Sequence, residues 1–308
     1  MGIEWSPEIT AQIVEKFLDQ NGLAGTDVEL VRFHQNAIYR LPRHGLTVRI
    51  YGPEDGAAKA QLMIAFADFL KNKDLPAVRL SDRFPDQPFD IDGRQVTIWD
   101  WLDSDESADT VDGGYHAFGA ALRDLHAVSN SFDYPVADLN PLKKIRNRLD
   151  RLTSGGRLAD QHLDILEASY ARTLELAPSL TQSHLGTSVL HGDALRKNAV
   201  LSGGKMHLID FDSVCLGPFE WDMAPTLVAE KRLGLNTADC DAFLAGYGID
   251  RDAFPDIEPA MIIKQLSMTV VLCLKASESD TIDAEIDRRL QAWNAWDFNT
   301  PWHSPVLG

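Results

Sequence analysis

Long apolar runs, a basic excess and paired cysteines are what this 308-residue sequence lacks. No stretch approaches the roughly twenty apolar residues of a membrane-spanning helix. The opening MGIEWSPEITAQIV has neither the basic start nor the apolar middle of a secretory signal. Cys215, Cys240 and Cys273 are odd in number, far apart and without C-x-x-C spacing. That excludes a disulfide framework or a cysteine zinc site and suits a reducing compartment. A formal charge of −17 argues against a nucleic-acid partner, whose binders carry a basic patch. The same charge is compatible with a cationic substrate such as an aminosugar, or with solubility alone. The expectation is a cytoplasmic protein with no membrane and no nucleic-acid partner. Internal repeats and low-complexity segments are absent too. The 44% apolar and 24% charged content is that of an ordinary globular protein, long enough for two domains.

What is there concentrates between Val189 and Ala224, VLHGDALRKNAVLSGGKMHLIDFDSVCLGPFEWDMA. A short apolar strand (Val189, Leu190) precedes a polar loop, His191 to Asn198. A β-hairpin follows, Ala199–Leu201 and Lys205–Ile209, turned by Ser202-Gly203-Gly204 and ending at Asp210-Phe211-Asp212. Strand ends and adjoining loops are where a rigid scaffold presents catalytic groups. Asp193, Asn198 and Asp210 thus fall within eighteen residues, gathered by one hairpin. Those groups suit phosphoryl transfer: one carboxylate to orient a hydroxyl and take its proton, an amide and a carboxylate to hold Mg²⁺. A loop-rich hairpin whose carboxylates merely serve turn chemistry is the plainer alternative, but it leaves the order of these polar groups unexplained.

Upstream, Ser6-Pro7 opens a helix with apolar residues at Ile9, Ile13, Val14, Phe17 and Leu18, ended by Asn21-Gly22. Strands are expected at Val28–Phe33, Ala37–Leu41, Leu46–Tyr51, Val78–Leu80, Pro88–Ile91 and Arg94–Asp100, with a helix over Ala57–Lys73 and a type I′ turn at Asp92-Gly93. From Tyr115 the period turns helical: Tyr115–Val128, Pro141–Leu152, Asp160–Leu176, a helix beginning at Trp221-Asp222, then Ala238–Tyr247, Glu258–Lys275 and Ile282–Trp293. The run Lys143, Lys144, Arg146, Arg148 reads as a solvated face.

HGD-x4-N, then IDFD, then EWD-x-A resembles the aminoglycoside phosphotransferase and choline kinase family of small-molecule kinases, relatives of protein kinases. The resemblance implies a bilobal, protein-kinase-like α+β fold. Residues 1–100 would form an antiparallel-sheet, nucleotide-binding lobe, and residues 101–308 a mainly helical catalytic and substrate-binding lobe. It further implies Asp193 as catalytic base, Asn198 and Asp210 as Mg²⁺ ligands, and ATP or GTP as co-substrate. Asn36 would contribute to a loop over the phosphates, unless it is a hairpin turn residue. Arg49 would stand where protein kinases use Lys, neutralising phosphate charge bidentately. Trp99-Asp100-Trp101 and the acidic Asp103-Ser104-Asp105-Glu106 would be the hinge, with backbone groups for adenine and Trp99 or Trp101 flanking the purine. His126 reads as a satisfied core histidine, and Asp222 as a helix cap that anchors the loop. Asp212 is either a second-metal ligand or a solvated carboxylate, and one of Arg196 and Lys197 is expected in solvent.

Two features depart from the pattern. No glycine lies between Val28 and Asn36, so backbone amides there cannot approach phosphate as closely. The helix over Ala57–Lys73 has no acid near its start to hold Arg49, leaving Gln61, or Asp210 alone, as its partner. The expected activity is transfer of the γ-phosphoryl group of ATP, with Mg²⁺, to a hydroxyl of an aminoglycoside, aminosugar or similar amino alcohol. Glu258, Asp280, Asp283 and Glu285 lie where relatives bind cationic substrates, although no motif selects them. A catalytically inactive nucleotide-binding relative is the alternative. A protein kinase is disfavoured by HGD in place of HRD and by the short chain after Asp210.

Overall fold

Ser6 caps the first helix as its sequence requires: its Oγ accepts from the Ile9 N–H at 3.4 Å, with Pro7 in the first turn. The computed structural model describes residues 5–54, 56–105, 113–181, 183–253 and 257–303. Met1 to Glu4 of the opening segment and Glu106 of the acidic stretch lie outside the described residues. The chain folds as two compact units, Met1–Gly114 with Ser131–Pro135 and Lys197–Asp212, and Tyr115–Asn130 with Val136–Arg196 and Ser213–Gly308.

In the first unit, helix α1 (Pro7–Gln20) precedes strands β1 (Glu29–Phe33), β2 (Asn36–Leu41) and β3 (Leu46–Tyr51), helix α2 (Gly56–Asn72), and strands β4 (Phe89–Ile91) and β5 (Arg94–Asp100). The strands make one antiparallel sheet in the order β1-β2-β3-β5-β4. Ile13, Val14, Phe17 and Leu18 of α1 pack on Tyr39, Leu41, Val48, Ile50, Val96 and Ile98 of the sheet. Asp92 and Gly93 both have positive φ, as a type I′ turn demands. The strand expected at Val78–Leu80 is reduced to single bridges, Ala77 to Leu208 and Leu80 to Trp99. Pro76 lies just ahead of it, and a proline has no N–H to extend such a ladder.

The hairpin β7 (Ala199–Ser202) and β8 (Lys205–Leu208) belongs to this unit although it lies far downstream. Gly203 and Gly204 form its two-residue turn at positive φ. Leu208 O accepts from Val78 N at 3.0 Å, and Leu201 O accepts from Asp105 N at 2.8 Å.

The second unit is mainly helical: α3 (Gly113–Ser129), α4 (Pro141–Gly155), α5 (Asp160–Leu174), α6 (Glu220–Leu233), α7 (Thr237–Tyr247), α8 (Glu258–Cys273) and α9 (Asp280–Ala295). The chain of α3 and α7 comes within reach of backbone contact, because a Cβ on Gly119 would meet Phe243 O and one on Gly246 would meet His116 O, each at 2.0 Å. Helix α8 packs against α4, α6 and α9. One small antiparallel pair completes the unit: β6 (Thr187–Leu190) with β9 (Cys215–Pro218). From sequence no strand is expected at residues 215–218, since Gly217 and Pro218 are turn residues and the pairing partner is remote. Among the described residues no helix is long and apolar enough to cross a membrane.

Candidate active site

The loop after β6 is built on one buried carboxylate. Asp222 accepts from the N–H groups of His191 and Gly192, each at 2.8 Å, and contacts His126 Nε2 at 3.1 Å. Burial alone would raise its pKa, but the His126 contact and the Gly192 N–H outweigh that and hold it below the usual carboxylate value. Sequence reasoning expected Asp222 to cap its helix and anchor the loop. The anchor is present; the cap is not, because Phe219 occupies the N-cap position and Asp222 sits inside the first turn. His126 is a satisfied core histidine as expected: buried, bonded to the Tyr247 hydroxyl at 2.7 Å and stacked on Phe219.

Gly192 has φ +79, and a Cβ there would lie 1.9 Å from Ser213 O, so no other residue fits this turn. Trp221 Nε1 donates to Gly192 O at 3.1 Å. His191 and Asp222 are fully buried, whereas the Asp193 side chain keeps 39% of its exposure. The scaffold therefore presents Asp193 and hides its supports. Lys264 of α8, itself buried, places Nζ 3.0 Å from Asp193 Oδ1 and lies over the Trp221 ring.

In the first unit, the hairpin brings Asn198 and Asp210 to one end, where Ile209 N donates to Asn198 O at 2.9 Å. Phe211 between the two acids is fully buried against Phe66 of α2, with ring centroids 5.1 Å apart. Asp210 has φ +63, sparsely populated by non-glycine residues, and its Oδ2 receives Arg32 Nη1 at 2.9 Å.

Arg49, on β3, is 6% exposed. Its principal partner is Asp212, which it meets in a close ion pair, with Asp210 Oδ1 second at 3.9 Å. Burial works against its charge, but Asp212 and Asp210 together with the nearby Tyr51 outweigh burial and raise its pKa. This corrects the expectation that Gln61, or Asp210 alone, would hold it. It also shows that Asp212 is not a solvated carboxylate, since its Oδ2 is held by Arg49. Asn36 completes the arrangement: Nδ2 donates to Asp212 Oδ2 at 2.7 Å and Oδ1 accepts from Gly52 N at 3.3 Å. Its amide ties the β2–β3 hairpin to Asp212.

A family model described as "Phosphotransferase enzyme family" matches residues 34–259, more than two thirds of the chain. The chain belongs to this family. It is a phosphotransferase acting on an alcohol group of a small molecule. Solved structures share the fold at low identity. The amicoumacin kinase hAmiN in complex with AMP-PNP, Ca²⁺ and Ami aligns at TM-score 0.72 and 13% identity, over 96% of this chain and 97% of that one. A choline/ethanolamine kinase family protein from Mesorhizobium loti gives TM-score 0.62 and 19% identity, over 93% and 94%. The choline kinase LicA from Streptococcus pneumoniae gives 0.62 and 15%, over 94% and 99%. No curated protein matches the sequence.

The expected hinge of this phosphotransferase is already engaged. Asp100 N donates to Arg79 O and Trp101 N to Gly45 O, each at 2.9 Å. Trp99 is 3% exposed and its indole N–H donates to Thr97 Oγ1 at 2.8 Å, which makes it a core residue of the sheet. Trp101 lies under the Arg40 guanidinium at 4.4 Å and donates to Asp103. An adenine edge would thus have to use carbonyls here, or amides beyond residue 101.

Among the described residues no group of three His, Cys, Asp or Glu forms a ready metal cage. One amide oxygen and one carboxylate at a hairpin end nonetheless fit Mg²⁺, which takes its other ligands from phosphate and water. The half-exposed Arg32 already lays positive charge on Asp210.

Proposed function

We propose that this phosphotransferase moves the γ-phosphoryl group of ATP, or of GTP, to a small-molecule hydroxyl with Asp193 as the base. The observation that carries the reading is the presentation of Asp193: a half-exposed carboxylate on a turn pinned from beneath by buried Asp222. The Asp193 carboxylate orients the attacking hydroxyl and takes its proton. The hydroxyl oxygen bonds to the γ-phosphorus as the bond to the β-phosphate oxygen breaks and ADP leaves. Asn198 and Asp210 would hold Mg²⁺, which supplies neutralising charge to the β- and γ-phosphates. Arg49, kept charged and oriented by Asp212, is the fixed cation for the phosphates. Positioning and electrostatics supply most of the rate in such a loose transition state.

The amicoumacin kinase with AMP-PNP supports the nucleotide. Coupled ADP release over a panel of alcohols, with wild type and Asp193→Asn, tests the assignment. Turnover should fall by about 10²- to 10⁴-fold in the variant, with nucleotide binding retained. Turnover near the wild-type rate would remove Asp193 from the role of base.

The lack of glycine between Val28 and Asn36 and of an acid in the first turn of α2 favours a second reading, a nucleotide-binding relative without turnover. Nucleotide binding with no ADP release from any alcohol would select it.

A further inference from the structure

The basic run of α4, which reads from sequence as a solvated face, is sorted into two sets. Arg146 turns to Glu167 (2.6 and 2.7 Å) and Asp150 (2.9 Å). Lys144 and Arg148, four residues apart and hence on one helix face, belong to the electrostatic surroundings of Asp193 instead. Arg148 Nη1 donates to Ser267 Oγ at 3.1 Å, and Ser267 lies one turn along α8 from Lys264, the residue paired with Asp193. A serine hydroxyl neutralises nothing. Lys144 and Arg148 take part in no ion pair among the described residues, so of these three cations on α4 and α8 Lys264 alone has a carboxylate partner there.

Such a surplus of positive charge is unfavourable in itself. Loss of hydration holds both Lys144 and Arg148 below their ordinary pKa values, and the charges of Arg148 and Lys264 press Lys144 down further. Lys144 is exposed and Arg148 half-buried, so a solute can reach both. Uncompensated like charges in such a place are relieved by a ligand of the opposite sign.

Two of the four acids that could have received an amine-bearing acceptor are engaged elsewhere. Glu285 is 3% exposed, bonded to Arg289 Nε at 2.7 Å and to His303 N at 3.0 Å. Asp283 accepts from Ser277 N at 2.9 Å.

We propose that the acceptor alcohol carries an anionic group, a carboxylate or a phosphate, gripped by Lys144 and Arg148 with Lys264 beside the base. This deepens the kinase reading and rests on Asp193 being its base. It runs against the amino-alcohol acceptor that the family resemblance implies. In this arrangement the cations select the acceptor by charge, while the hydroxyl is delivered to Asp193.

Acceptors sharing one skeleton but differing in charge provide the test. Glycerate, glycerol 3-phosphate, glycerol and 3-aminopropane-1,2-diol form one set; gluconate, glucose 6-phosphate, glucose and glucosamine form another. With ATP and Mg²⁺, the carboxylate or phosphate member should exceed the amine in kcat/KM by about tenfold or more, the effect of one well-placed charged contact. Which anion leads separates carboxylate from phosphate recognition. Lys144→Gln, an exposed change that does not threaten folding, should raise KM for the anionic acceptor without moving KM for ATP. A shift in the ATP KM instead would mean the cations serve the nucleotide and would overturn the proposal, as would equal or better turnover of the amine. Should no acceptor be phosphorylated, the kinase reading fails separately. Charge preference is then read from thermal stabilisation by the same compounds, and anything other than stabilisation by an anionic member ends the inference.

Discussion

Arg49 and Asp193 pose the same electrostatic problem with opposite signs. In the first unit, a buried cation is met by Asp212 and Asp210, and Asp210 receives Arg32 in turn. Two guanidinium groups face two carboxylates, and the charge is balanced internally. In the second unit a carboxylate is met by Lys264, while Lys144 and Arg148, on the helix packed against that of Lys264, take part in no ion pair among the described residues. Balance is what a structural pair needs once it is withdrawn from water. A standing excess is what a binding site for a charged solute needs. The difference separates a cation neutralised within the protein from the surface proposed to take an anionic ligand.

The comparison breaks most readily at Arg49. Arg49→Met leaves Asp210 and Asp212 together without their shared cation and should cost roughly 3 kcal/mol in urea unfolding. A cost below about 1 kcal/mol would mean that the pair is no better than a surface contact.

Asp222, the support beneath Asp193, yields the next effect. Its folded pKa lies below the ordinary 3.8, so its contribution to stability is present above that value and is lost as pH falls through the folded pKa. The stability gap between wild type and Asp222→Asn should be about 2 kcal/mol at neutral pH and should narrow below pH 4 or so. A gap constant with pH would show that the charge of Asp222 is not what pins the loop.

Lys264→Met removes one cation from an excess rather than from a balanced set. Its cost should be about 1 kcal/mol, well under that of Arg49→Met in the same assay. Equal costs would erase the distinction between the two centres. The smallest effect is expected for Lys144→Gln, within about 0.5 kcal/mol of wild type and of either sign, because relief of repulsion offsets any lost contact. Marked destabilisation would make Lys144 a structural residue rather than a ligand-facing one.

The cysteines show how far composition alone reaches. All three are buried, and desolvation pushes Cys215, Cys240 and Cys273 each up to about 12. They are inert small hydrophobes, in keeping with a spacing that offers neither a disulfide framework nor a zinc site.

Turn chemistry was equally legible. Gly203-Gly204 and Asp92-Gly93 name their hairpins because few residues accept positive φ. Helix periods placed α3 through α9 to within a few residues, since burial of one face repeats every three or four positions. Strand β9 was not legible, because its only signal is pairing with β6, and Gly217 and Pro218 point the other way. Likewise the engaged amides of Asp100 and Trp101 depend on Arg79 and Gly45, which no local pattern connects to them.

The order HGD-x4-N then IDFD, and with it the membership of a phosphotransferase family, is written in neighbouring residues and needed no coordinates. Charge partnership is different. Asp212 rather than Gln61 holds Arg49, and Arg146 rather than Lys144 or Arg148 is tied to Glu167, because ion pairing acts over a few ångströms of space. Only the folded chain decides which distant residues share those few ångströms.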